Sequence, residues 1–306
     1  MARNLKKQES RRNWLDLPSE VTTNILSRIG IADILENAQL VCTAWHQICK
    51  DPVMYRVLNT NDLRRSRFIS LENMCKQVVD RSQGQLVDIT FVHVRNEQLL
   101  LYAAESSRSS QLRRFELVNC VEPRSFTWHA LITFPLLEEL NLYSVGISVY
   151  EIESLGRFCP LLKTFKMNKK VPRRWVPLTT STPHNEWCLN AKAVAIAQNL
   201  PELRHLELIG NCMTNIGLEK ILDNCHQLET LDLRSCFNTD IKGDLGEKCC
   251  KQIKNLKLPN DSLEGCPYSY ALVDNESDDD DYFYCGPDNE GYDSNEEYEL
   301  ELLDYI

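Results

Sequence analysis

The chain has 306 residues, 43% of them hydrophobic, which suffices for one large domain or two smaller ones with a real core. No stretch approaches the roughly 18 consecutive apolar residues of a membrane span, and the opening MARNLKKQESRRNW has basic residues but no apolar run of signal-peptide type. The net charge of −10 conceals a division, because no Lys or Arg follows Lys257 while 16 acids fall in residues 258–306, leaving 28 acids against 34 bases (+6) in residues 1–257.

Residues 1–13 read as a flexible basic N-terminus. From Trp14 to Arg56 (WLDLPSEVTTNILSRIGIADILENAQLVCTAWHQICKDPVMYR) the pattern is that of three short helices. Pro18 suits a first helical position, where its missing N–H costs nothing, and Glu20 follows at the end favoured by the helix dipole. Val21, Ile25, Leu26 and Ile29 then fall on one stripe, opposite polar Thr22, Thr23 and Arg28, and the helix is expected to stop near Gly30. Ile34 and Leu35 belong to a second segment. Leu40, Val41, Ala44, Trp45 and Ile48 share a face of a third, broken by Asp51 and Pro52. About 40 residues make a thin core, so a partner is expected to cover the leftover apolar stripe.

This segment resembles the F-box, the module that docks proteins onto the SKP-family adaptor of cullin-RING ubiquitin ligases. The resemblance is carried by Leu17-Pro18, Glu20, Ile25-Leu26, Asp33 to Leu35, Val41-Cys42, Ala44-Trp45 and Asp51-Pro52. It departs at Tyr55, where such sequences often place Trp; both rings are large and amphipathic. The resemblance implies an F-box over 14–60 whose adaptor-binding set comprises Leu17, Pro18, Glu20, Ile25, Leu26, Ile29, Leu35, Val41, Cys42 and Trp45. These side chains are expected to divide between the module's own core and the adaptor surface.

After a linker helix region over 61–84, the pattern Leu-x-x-Leu-x-Leu occurs seven times. The instances are Leu86/Ile89/Phe91, Leu112/Phe115/Leu117, Leu137/Leu140/Leu142, Leu162/Phe165/Met167, Leu203/Leu206/Leu208, Leu228/Leu231/Leu233 and Ile253/Leu256/Leu258, spaced by 26, 25, 25, 41, 25 and 25 residues. That period belongs to leucine-rich repeats. Each unit predicts a short strand with alternate apolar side chains inward, then a helix such as the one implied by Gly217 to Leu222. The fold class is therefore α/β: a three-helix module, a curved solenoid of about seven strand-helix repeats over 85–262, and a tail.

Thirteen cysteines could signal disulfides, but an intracellular chain is expected to keep them reduced as small buried hydrophobes. Cys120 and Cys236 fall three residues past their motifs, where Asn211 also stands, and Cys159, Cys225 and Cys250 fall three residues before the next. This resembles the cysteine-containing class of leucine-rich repeats. A zinc site built on Cys212, Cys225 and His226 would need a second close pair at finger spacing, which is absent. No metal or cofactor is expected.

The spacing of 41 places an insertion near 168–188, read as a loop because Pro172, Pro177 and Pro183 fall in it. Lys166, Lys169, Lys170, Arg173 and Arg174 gather there beside Trp175, a candidate ligand contact. Strand residues between the apolar positions point to the concave face. They run Thr90, Glu116, Asn141, Lys166, Glu207, Asp232 and Lys257, with Arg114, Glu139, Tyr143, His205 and Arg234 beside them. The candidate substrate-binding set drawn from these is Arg114, Glu116, Glu139, Asn141, Tyr143, Lys166, His205, Glu207, Asp232 and Arg234. Mixed charge suits a protein partner and does not suit nucleic acid, whose footprint is one-sidedly basic. Residues 263–306 read as an acidic, mostly disordered tail, with Ser277 and Ser294 placed before acids as acid-directed kinase sites and a return onto the basic body expected.

The order of F-box then Leu-rich repeats is similar to the plant-type F-box/LRR-repeat family. The resemblance implies a non-catalytic substrate receptor in the nucleus or cytoplasm, partnered by the adaptor, through it by cullin and RING subunits, and by an unknown protein substrate. A scaffold outside any ligase is the alternative. An enzyme is disfavoured, since no phosphate loop, Gly-x-Ser-x-Gly or His-Glu-x-x-His occurs.

Overall fold

The computed structural model describes residues 14–64, 70–106, 111–132, 134–169 and 183–266. The expectations for the N-terminus, for Lys170, Arg173, Arg174 and Trp175, and for the tail beyond 266 lie outside these residues. The chain divides into two compact units, Met1–Leu140 and Asn141–Ile306.

The first unit opens with α1 (Ser19–Leu26), α2 (Ile31–Glu36) and α3 (Thr43–Ile48), with 3-10 turns at Ala38–Leu40 and Pro52–Tyr55. Pro18 is the residue before α1, not its first: its ψ of 146° is extended, and its carbonyl receives the Val21 and Thr22 amides. Thr22, expected on the polar face, is buried, because its hydroxyl donates back to the Pro18 carbonyl at 3.3 Å and is thereby satisfied. The Asp-Pro pair has a local cause. Asp51 accepts the Val53 amide at 3.0 Å while Pro52 occupies the first position of the turn, where it needs no donor.

Strand β1 (Val57–Asn59) follows directly, then α4 (Thr60–Leu63), α5 (Leu71–Ser82), β2 (Asp88–Val92), α6 (Glu97–Ser106), β3 (Arg114–Val118) and α7 (Ser125–Leu131). β1 pairs in parallel with β2, and β2 with β3. Strand β4 (Glu139–Tyr143) spans the division of the units. The second unit continues with α8 (Val149–Phe158), β5 (Thr164–Asn168), α9 (Pro183–Asn199), β6 (His205–Glu207), α10 (Asn215–Asn224), β7 (Thr230–Asp232), α11 (Gly243–Gln252) and β8 (Asn255–Lys257), with β5 to β8 parallel in chain order.

The α/β class and the strand-helix repeat are thus as expected, with eight strands among the described residues where seven were predicted. The apolar positions of the first six predicted motifs are inward, Leu86, Leu112, Phe165, Leu203, Leu206 and Leu231 among them; the seventh is a correction, since Ile253 is buried but Leu256 is half-buried and Leu258 is 42% exposed at the last described strand. The additional strand belongs to a degenerate motif. Leu58 pairs with Ile89, which puts Tyr55 and Thr60 in the places taken by Leu86 and Phe91. Both are fully buried, and the Thr60 hydroxyl accepts the Val92 amide at 2.7 Å, so a polar residue holds a core place by bonding to the next strand.

The expected loop over 168–188 is corrected at its end, where α9 already begins at Pro183. A proline is harmless in a helix's first turn because its missing N–H has no intrahelical partner there. α9 lies tightly against its neighbours: a Cβ at Gly156 would meet the Asn199 carbonyl, and one at Gly217 would come within 2.6 Å of Asn190 Oδ1. That buried Asn190 side chain accepts the Thr214 and Gly217 amides, each at 3.0 Å, and so caps α10 from the preceding repeat.

The cysteines link repeats in the same way. The Cys120 thiol donates to the Phe91 carbonyl at 3.3 Å and the Cys236 thiol to the Leu208 carbonyl at 2.9 Å, each one repeat back. Burial pushes the thiols of Cys75 and Cys236 up to about 12 and that of Cys225 up to about 11. Among the described residues eleven cysteines are free thiols. Cys212 departs from the expectation that all are reduced, since it is disulfide-bonded.

Candidate functional site

Two surfaces stand out, one in the module and one on the strands. In the module, the fully buried Tyr55 belongs to a core that also holds Leu26, Ile34, Leu35, Cys49 and Met54, all buried. Its hydroxyl donates to the Cys49 carbonyl at 2.6 Å and receives Arg81 at 2.8 Å, and burial, only partly offset by Arg81, raises its pKa. Tyr55 is therefore core, which explains why a hydroxylated ring serves there: the buried O–H is satisfied in both directions.

A second set of apolar residues of the module faces outward. Leu17, Val21, Ile25, Ile29 and Val53 are exposed, and Leu40, Val41 and Trp14 are exposed to 74%, 61% and 58%. The stripe read from sequence is thus split: on α1 it leaves Val21, Ile25 and Ile29 in solvent and turns Leu26 inward. Of the sequence-derived adaptor set, Leu26 and Leu35 lie in the core. Leu17, Pro18, Glu20, Ile25, Ile29 and Val41 lie on the surface, and Cys42 and Trp45 are half-buried. The Trp45 ring meets Trp14 edge-on at 6.3 Å between centroids, which holds it at the surface. Trp14, Leu40 and Val53 were not in that set, although for Trp14 and Val53 the lack of any periodic apolar partner was a usable signal.

The strand surface is paired within itself. In the first unit Arg114 lies 3.1 Å from Asp88 and 3.5 Å from Glu139, and it also bonds Glu116. Burial raises the Asp88 pKa despite the nearby Arg114, and the three surrounding carboxylates outweigh desolvation to raise that of Arg114. In the second unit the register aligns Lys166, Glu207, Asp232 and Lys257 across β5 to β8. Lys166 pairs with Glu207 at 3.0 Å and Lys257 with Asp232 at 3.3 Å, and Asn168 also donates to Glu207.

Asp232 and Arg234 are a correction to the expected exposed set. Both are buried: Arg234 forks onto Asp232 at 2.6 to 3.1 Å and donates onward to the Ser262 carbonyl at 2.9 Å. A carboxylate at the end of β7 and a guanidinium two residues beyond it satisfy each other before any partner arrives. Glu116, Asn141 and Tyr143 are likewise buried, and of the set only His205 is fully exposed. Arg114, Glu139, Lys166 and Glu207 are half-buried. Among the described residues no cluster of three metal-ligating side chains occurs.

The F-box-like family model matches residues 14–61, the module just described. Over 284 residues the chain is 40% identical to the F-box protein SKIP19 of Arabidopsis thaliana, covering 88% of each protein. The chain belongs to the F-box/LRR-repeat family. Other F-box/LRR relatives from Arabidopsis thaliana extend the likeness to the strands. Putative F-box/LRR-repeat protein 21 is 40% identical over 85% of this chain and 86% of its own length. Putative F-box/LRR-repeat protein 23 is 42% identical over 84% of this chain, which spans 56% of that longer relative.

Proposed function

We propose that this F-box/LRR-repeat protein is the substrate-recognition subunit of an SKP-cullin-F-box ubiquitin ligase, acting in the nucleus or cytoplasm without catalysing a step itself. The observation that carries the reading is the outward apolar set of Leu17, Val21, Ile25, Ile29, Leu40, Val41 and Val53 on a module whose core is already filled by Tyr55, Leu26, Ile34 and Leu35. A small helical module does not leave so much aliphatic surface in water unless a partner removes it. The SKP-family adaptor is that partner, and through it come cullin and RING subunits. The strands hold the protein to be ubiquitinated, and the gain is proximity, since tethering raises the effective concentration of a substrate lysine near the charged conjugating enzyme.

Because the strand charges are already paired, the substrate must compete by shape and by replacing hydrogen bonds, not by bulk charge. The test is a titration of purified adaptor onto the full chain. Replacing Trp45 by Ala, or Leu40 and Val41 together by Asp, should weaken binding by at least ~100-fold while the repeats stay folded, as expected for removal of interface anchors. Adaptor binding at wild-type strength in both variants would sink the reading. Recovery of adaptor from cells without cullin would instead favour a scaffold.

A further inference from the structure

Arg81 lies near the end of α5, beyond the residues matched by the family model. Its guanidinium nevertheless reaches back into the docking module. Nη1 donates to Gln39 Oε1 at 3.0 Å and to the Tyr55 hydroxyl at 2.8 Å, and the guanidinium carbon stands 5.6 Å from the Tyr55 ring centroid. Each acceptor holds a different piece of the module. The Tyr55 hydroxyl passes its own proton to the Cys49 carbonyl at the end of α3. Gln39 donates through its amide nitrogen to the Leu35 carbonyl on α2, and its backbone carbonyl accepts from His46 Nδ1 at 3.1 Å. One cation thereby ties α2, the turn before α3 and the exit of α3 to the helix that packs against β1.

The chemistry suits a strut. A guanidinium is planar, permanently charged and pre-organised, so its bonds to the buried Tyr55 and the half-buried Gln39 resist bending more than apolar contact does. Tyr55 also occupies the first motif place of β1, so Arg81 grips the residue shared by the module and the first repeat. We propose that Arg81 is a positioning residue that fixes the direction of the docking surface relative to β1–β3. An adaptor bound to the module is then presented at one angle to the strand surface. The functional meaning of that angle rests on the adaptor-docking reading above; the rigidity itself does not.

The experiment uses the full chain bound to purified adaptor. Spin labels are carried on non-canonical residues at Lys50 and Glu122, two exposed positions of the first unit on either side of the proposed strut. The readout is the distribution of label distances. Wild type should give one narrow distribution. Arg81→Met, which keeps the apolar stem and removes the donors, should broaden it at least about twofold while adaptor affinity stays within about twofold of wild type. Tyr55→Phe, which deletes only the hydroxyl, should broaden it similarly, and the double variant should add little because both changes cut one connection. A wild-type width in Arg81→Met overturns the proposal. If Arg81→Met does not fold, Tyr55→Phe decides by the same criterion. Full adaptor binding by both Trp45→Ala and the Leu40/Val41 double Asp variant would defeat the docking reading alone and leave the strut to be judged on the free chain's distances.

Discussion

In the docking module Leu40, Val41 and Trp14 stand in solvent beside a filled core, whereas on the strands even Asp232, Arg234 and Glu116 are buried. The two regions distribute their chemistry in opposite senses. The module keeps apolar groups outside, where only a partner can remove them from water. The repeats place apolar groups inside and pair their charges with one another, so their surface is complete before a partner arrives. The proposed function calls for this difference between a constant partner and a selective one: apolar area supplies affinity, while pre-paired polar groups penalise a ligand that fails to replace their bonds.

The comparison breaks most visibly in the repeat core. Leu206 is fully buried on β6, opposite Phe165 and Leu231 in the neighbouring strands. Leu206→Ala should cost about 2–5 kcal/mol through lost transfer and a residual cavity. Val41→Ala, on the exposed side of the module, should shift stability by no more than about 0.5 kcal/mol. Chemical denaturation of both variants, compared with their adaptor affinities, checks the contrast. Equal losses of stability would erase it.

A smaller effect is expected from the buried thiols. Cys75, Cys225 and Cys236 are held as neutral thiols by burial, with folded values of about 12, 11 and 12, against about 8.5 in an unfolded chain. A raised folded value means that the folded state holds the proton more tightly. Stability should therefore be constant below about pH 8.5 and fall above it, by at most about 1.4 kcal/mol per pH unit for each thiol, until the folded value is reached. Replacing Cys236 by Ala should flatten that slope. At pH 8, exposed Cys250 should react with an alkylating reagent well before these three, and simultaneous reaction would contradict their burial.

The smallest effect concerns the strand exits. His93, Asn119, Ser144, Gly210 and Ser235 all have positive φ, each two residues past the last apolar place of its motif. Glycine tolerates that conformation and most side chains resist it. Ser235→Gly should raise the melting temperature slightly, equivalent to about 0.5 kcal/mol. A drop would show that the Ser235 side chain contributes more than its backbone strain costs.

These exits also mark where sequence reading stops. The motif from Leu86 to Leu233 was legible because alternation and burial act on the same side chains. The recurring left-handed turn was not, since only Gly210 and Asn119 among its five occupants are residue types that signal it. The first strand escaped because Tyr55 and Thr60 hold their motif places through hydrogen bonds and not through aliphatic character. On α1 the apolar stripe was visible, but which part turns inward depends on packing that spacing does not encode. Asp232 and Arg234 looked like exposed recognition residues because a charge two places along a strand points the same way as its neighbour. Their mutual fork is a matter of reach and rotamer, seen only in three dimensions.

The shared position of Tyr55 bears on how F-box/LRR-repeat proteins can be rebuilt. A junction drawn after residue 54 or 60 would cut through one hydrogen-bonded unit, separating the aromatic residue from Cys49 in the first case and from Arg81 in the second. A transplantable cassette must therefore run through Ser82, and a chimera joined earlier would inherit a docking head without its neck.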